Sequence, residues 1–179
     1  QTNFSIIDSL TTQTADSICT LISKTGTRRL TLEISDHPAR LFLKKRFTNC
    51  LIPEQIGIYD KEADKDSTGK LEIWVDSVGV NYSKIEDNKK KLRREIYVSF
   101  SATMTDVSGK VTNLSANPGG FTDTIPRSAL KQVENSPYKF ATGEAPEEDL
   151  SFFASVVEPA IVVATAAATI IILFTVRSN

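Results

Sequence analysis

The stretch from Phe152 to Val176, FFASVVEPAIVVATAAATIIILFTV, constrains this chain more than any other part of it, because a helix made from it would be apolar on every side. That is the pattern of a membrane span and not of an amphipathic surface helix. At about 1.5 Å per helical residue, Pro159 to Val176 covers about 27 Å, and the whole run from Phe152 about 37 Å. The two lengths bracket a hydrocarbon core. The sequence therefore predicts a single transmembrane helix over 152–176, followed by a short tail at 177–179.

The residues ahead of the anchor have the length of one ordinary domain, enough to bury a single core. A balance of 21 basic against 22 acidic side chains argues against general nucleic-acid binding, which needs a net positive field to displace counterions. The chain begins at Gln1, has its single Met at Met104 and shows no apolar segment at its start, so we expect a secretory signal to have been removed and the domain to be exported. Arg177 follows the span directly, while the nearest Lys on the other side is Lys139. Positive-inside reasoning then places the large amino-terminal domain in the periplasm and the carboxy terminus in the cytoplasm of a bacterial cell. The competing reading is a chain lacking its start, tail-anchored, with its domain facing the cytosol.

Periodicity predicts a first helix over about Thr11 to Lys24, with Ala15, Ile18, Cys19, Leu21 and Ile22 on one face and Gly26 as its stop. Arg29 to Ser35 alternates as a strand. Asp36 is placed to cap a second helix with Pro38 in its first turn, and Leu43, Phe47, Cys50 and Leu51 form its apolar stripe. Gln55 to Tyr59 is short and β-prone. Leu71, Ile73 and Val75 alternate, and the alternation restarts out of phase at Val78, Val80 and Tyr82, which predicts a bulge near Asp76 and Ser77. Arg94 to Thr105 is the clearest strand, turned by Asp106 to Lys110 into a partner around Val111 to Leu114. Asn117-Pro118-Gly119-Gly120 reads as a loop, and Thr124 and Pro126 as the opening of a short helix through Leu130 and Val133. The fold class is thus α+β: an α/β domain over 1–135 with a mainly antiparallel sheet and two or three helices, an acidic linker at 136–151, and the membrane helix.

The segment Leu71-Glu-Ile-Trp-Val-Asp-Ser-Val-Gly-Val-Asn-Tyr82, the strand Arg94 to Thr105 and the turn Asp106-Val-Ser-Gly-Lys110 resemble small α/β domains of bacterial envelope proteins. Those domains are the amino-terminal domain of the translocation protein TolB, the flagellar-assembly FlgO type and the curli-secretion CsgG group. The resemblance covers about residues 11 to 115 and implies a role in envelope assembly. The chain departs from the lipid-anchored members in having no lipid-accepting first Cys. Its ending, Leu173-Phe-Thr-Val-Arg-Ser178, resembles single-span proteins of the Bacteroidota and green sulfur bacteria.

Three groups of residues are candidates for contact. Ala160, Ala164 and Ala168 recur every four residues along one side of the anchor, where small side chains let two helix backbones approach closely; the plainer reading is alanine as a good helix former. Cys19 and Cys50 each fall on the apolar face of a predicted helix, and sequence leaves open whether they pair as a disulfide or stay as two buried thiols. Lys89, Lys90, Lys91, Arg93 and Arg94 form the densest charge run, at a predicted hairpin end, where they contact anionic headgroups or an acidic partner, or simply stay solvated. Glu158 reads as an interfacial residue opening the span. Asp64-Lys-Asp66-Ser-Thr68-Gly69 mimics the start of a calcium loop, but its twelfth position is Val75 rather than a bidentate Glu.

No catalytic or metal residue is assigned. His37 is the single histidine, beside Pro38 at a helix entrance, where a capping or surface role is expected. Thr68-Gly69-Lys70 lacks the earlier glycine of a phosphate nest. The expectation is a non-enzymatic accessory or assembly subunit with no cofactor, whose partners are a lipid bilayer and an integral membrane protein complex, not nucleic acid. Its alternative is a tethered periplasmic adaptor that recruits a soluble or outer-membrane partner.

Overall fold

A computed structural model of the chain describes residues 1–59 and 68–147. The expected span at 152–176, Ala160, Ala164 and Ala168 within it, Glu158, the carboxylates Asp64 and Asp66, and the end of the acidic segment lie outside the described residues. Among the described residues no helix is long and apolar enough to cross a membrane. The chain divides after Pro146, and the unit Gln1–Pro146 carries the helices and strands that are described.

Helix α1 runs Asn3–Ser23, starting well before the expected Thr11. Thr2 caps it by accepting the Ser5 backbone N–H at 3.2 Å. Ile6, Ile7, Ala15, Ile18 and Ile22 form its buried stripe, but Asn3, Thr11 and Thr14 occupy buried positions of the same stripe, so the apolar period is interrupted early. Leu21, expected on that face, is 37% exposed. Gly26 ends the helix at φ +78, a conformation that a Cβ disfavours.

Strand β1 (Arg29–Ile34) is followed by α2 (Arg40–Leu51) and β2 (Gly57–Tyr59), and β2 pairs parallel to β1 as a βαβ unit. Asp36 does not cap α2. Instead His37 accepts the Ala39 N–H on Nδ1 at 3.0 Å, tightening the turn in front of the helix. Phe42, Leu43, Phe47 and Leu51 are the buried side of α2, and Phe47 meets Phe100 edge-on at 5.5 Å. Arg46 reaches across to Asp8 of α1.

Strand β3 (Gly69–Lys84) pairs parallel to β1 and antiparallel to β4 (Lys91–Thr105), with the register shifting between Val75 and Ser77 as the two-phase alternation predicts. Strand β5 (Val111–Leu114) takes the far end of β4's outer edge. The near end is taken by β6 (Gly119–Pro126), a strand where the sequence reading has only a loop and a helix opening. A 3-10 turn at Arg127–Ala129 and the short α3 (Leu130–Val133) follow. The fold is α+β with a mixed six-stranded sheet in the order β2-β1-β3-β4-β5, β6 also pairing β4. Its antiparallel part begins only at β3, so the expected mainly antiparallel sheet gains two parallel pairings.

The helices and the chain after α3 cover one face of this sheet. Residues 136–146, read from sequence as linker, are instead bound to the domain: Phe140 and Ala141 are buried, and Tyr138 stacks on Phe4 at 4.9 Å and on Phe140 at 5.1 Å. Phe42 closes the aromatic group, 5.6 Å from Phe140. At Gly143 a Cβ would stand 2.6 Å from the Val80 carbonyl oxygen, so this strap lies directly on β3.

Cys19 of α1 and Cys50 of α2 are joined in a disulfide with their Cα atoms 6.1 Å apart. The bond closes a 31-residue separation, which in the chain-entropy picture stabilises the fold by about 3 to 4 kcal/mol. The double variant Cys19→Ala/Cys50→Ala is expected to unfold with a stability lower by about 3 kcal/mol in urea, while reducing agent lowers the native protein's midpoint and leaves the variant's unchanged.

Candidate functional site

Two surfaces carry the side chains that could meet a partner. The first is the sheet face opposite the helices. Strict alternation along β4 sends Leu92, Arg94, Ile96, Val98, Phe100, Ala102 and Met104 inward, leaving Tyr97, Ser99, Ser101 and Thr103 on the open side. On β3 the matching residues are Glu72, Trp74 and, beyond the bulge, Gly79 and Asn81.

Trp74 is 54% exposed and Tyr97 42%, large values for aromatic rings in the middle of a sheet. Tyr97 sits opposite Gly79, where a Cβ would lie 2.7 Å from the tyrosine Oη; the glycine is what lets the ring lie across β3. Asp76, the extra residue of the bulge, accepts hydrogen bonds from the Ser99 and Ser101 hydroxyls, each at 3.3 Å. Trp74 stands opposite Ser101, so the two rings flank this carboxylate about 13 Å apart along the strand. Lys70 and Arg93 on the same face are each ion-paired. Lys70 contacts Glu72 at 2.8 Å and Glu33 at 3.3 Å, and the Glu72 hydrogen bond, helped by Glu33, holds its ammonium charged beyond the ordinary lysine range against the opposing effect of desolvation. Arg93 meets Glu95 at 2.9 Å. Trp74 and Tyr97 are the exposed rings in the middle of this face, and Val111 and Tyr59, in the same outward phase, are exposed at its end.

The second surface is the end of the sheet where β3 turns into β4. The predicted basic run is divided there. Strand β4 starts at Lys91, not Arg94, and alternation then separates its members: Lys89, Lys90 and Lys91 are exposed at the tip, Arg93 faces the open side, and Arg94 is only 2% exposed. Arg94 is therefore no surface contact. Its Nε and Nη2 bind the two carboxylate oxygens of Asp123 on β6 at 2.8 and 2.6 Å, and its Nη1 binds Asn3 Oδ1 at 2.9 Å and the Gln1 carbonyl at 3.2 Å.

Asn3 extends this cluster, donating from Nδ2 to Tyr82 Oη at 2.8 Å and to the Ala141 carbonyl at 3.0 Å. It matches a glycosylation acceptor pattern in sequence, but it is fully buried. Burial pushes the Tyr82 phenol up and nearby Glu134 adds to the shift, with the Asn3 amide opposing. Glu134 in turn accepts the Gly143 N–H at 2.9 Å, and Arg127 Nη1 donates to the Pro146 carbonyl at 2.7 Å. The first turn of α1, three strands and the strap meet in one buried polar knot.

Other features offer less. A hollow of about 330 Å³ is lined by Thr25, Arg28, Arg29 and Asp106, yet Arg28 donates to the Glu54 carbonyl and Arg29 lies over the Tyr59 ring. Among the described residues no group of three His, Cys, Asp or Glu stands close enough to hold a metal.

Because the folded phenol is raised, the stability held in the neutral Tyr82 is present below the ordinary tyrosine range and lost as pH climbs through it. Tyr82→Phe is expected to cost about 1 kcal/mol at neutral pH and to flatten the alkaline loss of stability in urea unfolding. Arg94→Ala, which strands Asp123 and Asn3, is expected to cost about 3 kcal/mol in the same measurement.

Comparison with known proteins returns little. No family model matches the chain, and no curated protein matches it. Among solved structures, a minor lipoprotein from Acinetobacter baumannii aligns at 11% identity with a TM-score of 0.29, covering 56% of this chain and 66% of that one. A likeness of that size carries neither fold nor function across.

Proposed function

We propose that the chain is a single-pass, membrane-anchored accessory subunit of a bacterial envelope complex, acting by contact and not by catalysis. The observation that carries the reading is the pair Trp74 and Tyr97, exposed in the middle of an open sheet face. Broad amphipathic rings at low entropy cost are what protein contact sites concentrate, and a helix-covered sheet has no internal use for them on its solvent side. The apolar run at 152–176 supplies the anchor, with Ala160, Ala164 and Ala168 as its packing side. The Cys19–Cys50 bond supports a periplasmic domain, since such bonds persist in oxidising compartments.

Extraction of the full chain in mild detergent, followed by identification of co-migrating proteins, tests this. Trp74→Ala/Tyr97→Ala is expected to lower recovery of the partner by tenfold or more, about 1.4 kcal/mol at least, with an unchanged urea midpoint. Full recovery with the double variant removes the sheet face from the reading. Replacing 152–176 with an unrelated span separates subunit from adaptor: loss of the partner supports intramembrane packing, and retention supports a tether.

A further inference from the structure

The middle of the open sheet face holds a carboxylate between two exposed rings. Asp76, the extra residue of the β3 bulge, is exposed, and each of its oxygens accepts one serine hydroxyl: Oδ2 from Ser99 and Oδ1 from Ser101, both at 3.3 Å. A carboxylate offers about four lone-pair sites, so the two serines orient the group and leave each oxygen a second acceptor direction. Among the described residues Asp76 makes no ion pair, whereas Lys70 is held by Glu72 and Glu33, and Arg93 by Glu95. Trp74 precedes Asp76 by two residues on β3, and Tyr97 lies across β3 at Gly79 on the other side of it. The anchor points of the two rings are thus each about 6 to 7 Å from Asp76 along the strands, close to the range of about 6 Å over which an aromatic face attracts a cation.

A planar, delocalised cation uses every part of this arrangement. A guanidinium can give two parallel N–H bonds to the two free carboxylate positions and also stack on aromatic faces, whereas an ammonium is a compact point charge that holds its water more strongly. A neutral surface pressed onto the rings would cover the Asp76 charge without answering it. We propose that the partner seats an arginine side chain here, its guanidinium on Asp76 with Trp74 and Tyr97 on either side. The rings shield the pair from water, which strengthens a contact that would count for little on an open surface. The proposal rests on the reading of this face as the contact surface and adds its selectivity: partner surfaces without such a cation are rejected by the uncovered carboxylate.

Trp74 is the single tryptophan of the chain, so its emission reports on the site directly. The full chain in non-ionic detergent is titrated with blocked glycine pentapeptides carrying arginine, lysine or citrulline, the uncharged isostere of arginine, at the centre. Arginine is expected to bind about fivefold more tightly than citrulline at low salt and more tightly than lysine, and Asp76→Asn to erase its advantage over citrulline at an unchanged urea midpoint. Equal responses to arginine and citrulline overturn the site, and this comparison on the native chain needs no variant. An arginine preference that survives Asp76→Asn overturns it as well, as does lysine matching arginine. A response to a chitin oligosaccharide exceeding that to arginine assigns the rings to sugar and overturns it too. Partner recovery keeps the two readings apart: loss in Trp74→Ala/Tyr97→Ala with full recovery in Asp76→Asn removes the arginine site and leaves the contact face, whereas full recovery in the double variant removes both.

Discussion

Arg94 is the one charged side chain buried among the described residues, and the arrangement of the domain depends on its being satisfied. An unpaired guanidinium in that position would cost several kcal/mol, so each partner must be delivered on time and in register. Asp123 arrives only if β6 pairs with β4 such that Arg94 and Asp123 stand opposite, and Asn3 arrives only if α1 begins in its first turn. A one-residue slip of β6 would turn Asp123 to the solvent side and leave the charge bare. Apolar burial supplies most of the stability; this ion pair selects which packing receives it.

The same residue explains what sequence could and could not reveal. Where burial is paid in apolar side chains, period and structure agree: β4 from Ile96 to Met104, the out-of-phase restart of β3 at Val78, and the stripe of Leu43, Phe47 and Leu51. Where a polar side chain is buried, the pattern fails. Arg94 continues the inward phase of Ile96 and Val98 but carries a charge, so β4 reads as starting late and Arg94 reads as surface. Asp123 sits between Phe121 and Ile125 in the inward phase of β6 and breaks its alternation, so the strand reads as loop. Asn3 does the same to the start of α1. The three misses are one cluster, and its members become legible only as a set, since each explains why the others are buried.

Of the candidate contacts, the sequence singled out the charge run but could not divide it into tip, face and core, a division that depends on where β4 begins. It also passed over Trp74 and Tyr97, because alternation says which residues share a side and not whether that side is covered. Coverage is decided by α1, α2 and the strap, and the strap itself looked like linker because Pro137, Gly143 and Pro146 surround its buried Phe140 and Ala141. Its retention on β3 comes from rings contributed by α1 and α2, far away in the chain.

Arg94 grips the Gln1 carbonyl, and Arg127, bonded to the start of β4, grips that of Pro146. The domain therefore begins and ends on the same side, like a loop of cord whose two strands pass through one knot. Such an object can be spliced into a surface turn of another protein, or rejoined head to tail and reopened elsewhere, without threading the chain around its own core. Tension applied through both ends would fall first on the knot, unzipping it locally before it reached the disulfide that joins α1 to α2.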